Sequence, residues 1–178
     1  VSVDDTGVRR LDWPTTRFSI ARPPGSGRDI VLIRGIEPNM RWRAFCAELL
    51  SLVAELGVER VVTLGALLAD VPHTRPVPVT VSSSEDQRAR SMGLEPSRYQ
   101  GPTGIVGVLQ DAATKAGLTA TTLWAAVPHY VAQSPCPKAT LVLLSRVEDL
   151  LDLPVPLGDL PDEARAWQHG VEELATED

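Results

Sequence analysis

Three polar clusters carry side chains able to do chemistry, and each follows an apolar stretch. The first lies in Leu64-Gly65-Ala66-Leu67-Leu68-Ala69-Asp70-Val71-Pro72-His73-Thr74-Arg75-Pro76 and offers Asp70, His73 and Arg75. The second, Ser97-Arg98-Tyr99-Gln100-Gly101-Pro102-Thr103-Gly104-Ile105, opens a helix and offers Thr103. The third, Trp124-Ala125-Ala126-Val127-Pro128-His129-Tyr130, offers His129 and Tyr130. Ser82 and Ser83 follow a further apolar segment, Val77-Pro78-Val79-Thr80-Val81. A guanidinium such as Arg75 clamps a carboxylate or phosphate through two parallel bonds. The imidazoles of His73 and His129 move protons near neutral pH. A structural reading competes: His73 fixes its loop through backbone hydrogen bonds, and Arg75 pairs with Asp70. Geometry must decide between them.

Other chemistries find less support. Backbone N–H groups at a helix start opened by Gly101-Pro102-Thr103-Gly104 suit an anion. The spacing, however, fits neither a dinucleotide fingerprint nor a phosphate loop, and no lysine follows Gly104 closely. Thr103 is therefore expected as a helix N-cap, with Gly104 and Gly107 permitting close packing. The histidines are His73, His129 and His169, and no H-x-x-x-H or C-x-x-C spacing exists, so no metal site is expected. Ser82-Ser83-Ser84 lacks a G-x-S-x-G elbow. No catalytic residue is assigned and no cofactor is expected. The tryptophans Trp13, Trp42, Trp124 and Trp167 read as core or interface anchors.

The surrounding elements must position these groups. Val1-Ser2-Val3 and Val8-Arg9-Arg10-Leu11 flank the turn signal Asp5-Thr6-Gly7, and Arg17–Ala21 gives a further strand, so residues 1–21 read as an antiparallel meander. Asp29–Gly35 is a continuous apolar run typical of a central strand. A helix over about 40–56 places Trp42, Phe45, Leu49, Leu52, Val53 and Leu56 on one face, with Gly57 as its stop. Strands follow at Arg60–Leu64 and Val77–Val81, and Pro78 confines the latter to an edge or a strand end. A short helix is expected at about 85–92, capped by Ser84 and Gln87.

Ile105, Val108, Leu109, Ala112, Ala113 and Ala116 stripe the next helix up to Gly117, and Thr119–Ala126 is another strand. Pro137 starts a helix ending near Leu151. The linker Leu153–Gly158 then leads to a last helix with Ala164, Trp167, Val171 and Leu174 inward. Strands alternating with helices predict an α/β fold with a mostly parallel central sheet flanked by helices. Ligands of such sheets bind beyond the strand carboxyl ends. Asp70, His73, Arg75, Ser82, Ser83, Thr103, His129 and Tyr130 are therefore the candidate pocket.

A length of 178 residues fits one α/β domain spanning 1–178, with 159–178 as its acidic final helix. That helix holds seven acids against Arg165, and the rest of the chain balances to zero. No basic stripe exists to engage nucleic acid or an anionic membrane. No apolar run is long enough to span a bilayer, and no signal peptide is expected. The chain opens at Val1 within a strand-like segment, leaving room for earlier residues outside the numbering. Cys46 and Cys136 read as reduced, cytoplasmic thiols.

Read together, the segments resemble the proteasome-assembly-chaperone family, specifically the bacterial, actinobacterial relatives of its second type. The match rests on Trp13-Pro14-Thr15-Thr16, Arg41-Trp42-Arg43-Ala44-Phe45, Thr63-Leu64-Gly65-Ala66 and Asp70–Pro76. It continues through Gly101-Pro102-Thr103-Gly104-Ile105 and Trp124–Tyr130, in fixed order over about residues 8–175. The resemblance implies a fold similar to nucleoside phosphorylases and peptidyl hydrolases, and homo- or hetero-oligomers with protein partners. Eukaryotic members help assemble proteasome α-rings. Archaeal relatives dock through a C-terminal hydrophobic-Tyr-any tripeptide. This chain ends Thr176-Glu177-Asp178, so docking by that route is not expected. The leading expectation is a non-enzymatic, oligomeric chaperone-like or scaffold protein of the cytoplasm. The alternative is a small-molecule binder or enzyme for a nucleoside, phosphate or carboxylate ligand.

Overall fold

The computed structural model describes residues 1–176 apart from Asp12, Pro14, 84–89, Met92, Leu94 and 132–134. Most of the expected 85–92 helix lies outside the described residues. The chain forms two compact units, Val1–Met40 and Arg41–Asp178.

In the first unit, β1 (Ser2–Val3) and β2 (Arg9–Arg10) pair antiparallel across the expected turn. Asp4 Oδ1 accepts hydrogen bonds from the backbone N–H of Thr6 and of Val8, both at 3.1 Å. Gly7 supplies the left-handed residue (φ 83°) that closes the turn. β3 (Arg17–Ala21) and β4 (Ile30–Arg34) make a second antiparallel ribbon, with Phe18 opposite Ile33 and Ile20 opposite Val31. The sequence predicts a central position for β4. Instead it forms a two-stranded sheet with β3, and Leu32 is 54% exposed. An unbroken apolar run reports high β propensity but does not fix how many neighbours the strand has.

The second unit holds a four-stranded sheet of order β5-β8-β6-β7. Its strands are β5 (Arg60–Ala69), β6 (Val79–Ser83), β7 (Glu95–Pro96) and β8 (Thr119–Pro128). β5 runs parallel to β8 and β7 parallel to β6, whereas β6 is antiparallel to β8. This is the mostly parallel α/β architecture the alternating elements predict. Pro78 sits just before β6, at a strand end, where its missing N–H removes no ladder bond.

The helices among the described residues are α1 (Trp42–Glu55), α2 (Ile105–Lys115), α3 (Pro137–Leu151) and α4 (Leu160–Thr176). Gly57 and Gly117, both at positive φ, follow α1 and α2 as expected. Their N–H groups return to Ala54 and Thr114 carbonyls and satisfy helix-end acceptors. α1 buries Cys46, Leu49 and Val53 and packs on α2, which covers β8 and β5. α3 covers β8 from the other face and packs on α4. The core there joins Val81, Leu123, Ala125 and Val127 of the sheet to Ala139 and Leu143 of α3. Along α4, Ala164 and Val171 are buried, but Leu174 is exposed rather than inward. It lies in the last turns of the helix, where covering surface runs out.

Candidate functional site

β5 and β8 are each ten residues long and pair in parallel from Arg60 opposite Thr119 to Ala69 opposite Pro128. Equal lengths in parallel register bring both exits to one rim. The strands expected to end at Leu64 and Ala126 run on to Ala69 and Pro128, and these last residues build the rim. The ladder continues one step further, because the His129 N–H donates to the Ala69 carbonyl at 3.1 Å. The His129 ring turns back toward the same carbonyl, with Nδ1 3.4 Å away.

The connection 70–76 is tied across this rim. The backbone N–H of His73 donates to Tyr130 Oη at 2.8 Å. Nδ1 of His73 lies 2.9 Å from the same hydroxyl, with donor and acceptor set by the tautomer. The Tyr130 ring stands edge-on to both imidazoles, at centroid distances of 5.8 Å to His73 and 5.5 Å to His129. The His73 carbonyl accepts from Lys138 Nζ at 2.5 Å. That ammonium also donates to Gln168 Oε1 at 2.8 Å, and Gln168 Nε2 donates to Glu172 Oε1 at 2.9 Å. Polar contacts thus run unbroken from Tyr130 through His73 and the start of α3 to α4. Burial pushes the Lys138 ammonium below its ordinary pKa, against the opposing influence of Cys136 and Glu172.

This arrangement places the eight sequence-derived candidates in three regions. Asp70, His73, Arg75, His129 and Tyr130 occupy the β5/β8 rim. Arg75 and Asp70 are exposed there, and no ion pair joins them among the described residues. Ser82 and Ser83 stand at the opposite end, because antiparallel β6 sets them beside Thr122 and Thr121. At about 3.3 Å per residue, that is roughly 20 Å along β8 from the rim. Alternation also turns them to opposite faces: Ser82 accepts from Gln110 of α2, and Ser83 bonds Thr121. Thr103 precedes α2 and so belongs to the face opposite α3. It is not the N-cap. Gly104 holds that position in extended backbone, without a side-chain cap. Thr103 Oγ1 instead fills the space a Cβ on Gly107 would need.

Two groups that shape the rim, Lys138 and Gln168, were not among the candidates. A signal existed for the first: Lys115 and Lys138 are the only lysines in an arginine-rich chain. Gln168 carries no motif, and only packing of α4 on α3 reveals it. A separate hollow of about 540 Å³ is lined by Glu148, Asp149, Asp152, Leu153 and Pro154. Among the described residues, no group of three or more His, Cys, Asp or Glu side chains is placed to hold a metal ion. No helix among them is long and apolar enough to cross a membrane.

The fold has counterparts in known proteins. The chain is 62% identical to a PAC2 family protein from Streptomyces avermitilis, with a TM-score of 0.88, covering 97% of this chain and 74% of that one. It is 56% identical to a proteasome-assembly chaperone homologue from Mycobacterium tuberculosis, with a TM-score of 0.91, covering 99% and 75%. An archaeal proteasome activator from Pyrococcus furiosus shares the fold alone, at 15% identity and a TM-score of 0.72, covering 98% and 76%. No curated protein matches this sequence. Residues 1–175 match the PAC2 family, and with the two actinobacterial relatives this shows that the chain belongs to it.

Proposed function

We propose that the chain is a non-enzymatic, chaperone-like or scaffold protein of the cytoplasm that acts through protein–protein contacts as a homo-oligomer. The observation carrying this reading is how the rim spends its reactive groups. The His73 backbone N–H and Nδ1 both engage Tyr130, and its carbonyl engages Lys138. Groups committed to holding a connection in place serve structure before chemistry. The names of the relatives agree: one is a proteasome-assembly chaperone homologue and another an archaeal proteasome activator. The first unit supplies apolar side chains of the kind that interfaces bury, with Trp13 77% exposed and Ile20 53% exposed.

Size-exclusion chromatography with light scattering tests the assembly. A stable oligomer at micromolar concentration is expected, and a strict monomer would refute it. Mixing with recombinant proteasome α-subunits then tests the partner. The expected result is a changed yield of α-rings, and an unchanged yield removes the proteasome as client.

A second reading, a small-molecule site, is favoured by one observation: Arg75 and His129 are both exposed on the same rim. Thermal-shift measurements with nucleosides, phosphate and small carboxylic acids address it. Stabilisation lost in Arg75→Ala supports a rim ligand, and no response in the wild type rejects it.

A further inference from the structure

We propose that residues 70–76 form a strap latched at His73, which swings off the β5/β8 rim as a unit while the sheet stays folded. Three of its ties converge on this one residue: the backbone N–H and Nδ1 on Tyr130 Oη, and the carbonyl on Lys138 Nζ. Elsewhere the strap buries little. Val71 and His73 are half-buried, whereas Asp70, Pro72, Thr74, Arg75 and Pro76 are exposed. Segments with few buried apolar contacts open locally at a small fraction of the global unfolding free energy.

The strap is also built to move as a piece. The Arg75 N–H donates to the Pro72 carbonyl at 3.3 Å, a turn that travels with it. Pro72 and Pro76 hold two φ angles fixed through any movement. Both ends are anchored independently. The His129 N–H holds the Ala69 carbonyl, and the Ala126 N–H holds the Pro78 carbonyl at 2.9 Å. The moving part therefore lies between two ladder bonds that need not break.

The closed state carries its own penalty. Nε2 of His73 is buried, with no hydrogen-bond partner among the described residues. An unsatisfied buried polar atom costs about as much as one or two hydrogen bonds return. Opening gives that nitrogen to water while the latch bonds are exchanged for hydration. Opening therefore recovers part of what the latch bonds lose, and it frees the His73 ring on the strap while uncovering the Tyr130 hydroxyl and the Lys138 ammonium on the rim. This inference depends on neither functional reading above.

Native-state hydrogen exchange in sub-denaturing urea tests it. In the wild type, the His73 amide, which is bonded to Tyr130, is expected to exchange through an opening that is nearly urea-independent, while the amides of 119–127 follow urea-dependent global unfolding. Lys138→Met, which leaves the His73 amide its Tyr130 acceptor, should speed exchange of that amide by about fivefold or more, the loss of roughly one hydrogen bond. Gln110→Leu, on the α2 face of the sheet, should speed 119–127 and leave the His73 amide unchanged. Equal urea dependence of the His73 amide and of 119–127 in the wild type would overturn the strap. So would a Gln110→Leu variant that speeds the His73 amide as much as 119–127, or a Lys138→Met variant that leaves the His73 amide unchanged.

Discussion

Gly65 of β5 lies directly opposite Trp124 of β8, and the indole ring covers the space where a Gly65 side chain would stand. A Cβ built there would come within 2.9 Å of the ring's Cη2, well inside van der Waals contact. The glycine is thus needed for close packing and not for an unusual backbone angle. Gly65→Val forces the ring or the strand to shift, a cost of about 1–3 kcal/mol. For a protein of this size that lowers the melting temperature by roughly 2–12 °C. The tryptophan near-ultraviolet circular dichroism should change with it. An unaltered spectrum and midpoint would show that the ring has another rotamer available.

The same pair marks what sequence reading reached and what it missed. Helices α1 and α2 were legible because their apolar spacing and the stops Gly57 and Gly117 are local signals. The length of β5 was not. Gly65-Ala66-Leu67-Leu68-Ala69 shows no alternation, and the successive Leu67 and Leu68 are both exposed in this edge strand, so no inside–outside pattern marks it. Gly65 reads as a loop residue until Trp124 is seen above it. The direction of β6 was equally hidden, because parallel and antiparallel strands share one local pattern. That single choice carried Ser82 and Ser83 away from the rim. His73, Arg75, His129 and Tyr130 lie along one rim because both exits follow directly from paired strands.

A directed chain of hydroxyls and an amide crosses the α2 face of the sheet. Thr122, 1% exposed, donates to Gln110 Oε1 at 3.0 Å, so the 2.6 Å contact with Thr63 has Thr63 as donor. Gln110 Nε2 in turn donates to Ser82 at 3.0 Å. Gln110→Leu or Thr122→Val alone strands a buried partner and should cost about 1–3 kcal/mol. The double variant removes both ends of one bond and should cost less than the sum of the singles. Urea denaturation of the four proteins gives the coupling. Strict additivity would mean that water already satisfies these groups.

The two thiols should separate kinetically. Cys46 is 2% exposed inside α1, and burial pushes its thiol pKa up, so the reactive thiolate is both scarce and covered. Cys136, just before α3, is half-buried. A disulfide reagent at pH 8 should label Cys136 in the native protein, whereas Cys46 reacts only as the unfolded fraction grows. Peptide mapping assigns the label. Fast native labelling of Cys46 would show that α1 detaches without global unfolding.

Lys138 gives a pH dependence whose sign can be worked out. Its folded pKa lies below the ordinary 10.5 because burial disfavours the ammonium. In the window between the lowered folded value and the unfolded one, the unfolded chain binds more protons. Stability must then rise with pH across that window. The neutral amine can still donate to both His73 O and Gln168 Oε1, so the latch survives deprotonation. Comparison with Lys138→Met isolates this contribution, since the other titrating groups are common to both proteins. The wild type should gain stability relative to the variant as the pH rises toward the ordinary 10.5, read as a widening gap in urea midpoints. A gap that narrows instead would mean that the charges of Cys136 and Glu172 outweigh burial, and that the rim holds Lys138 as a favoured cation.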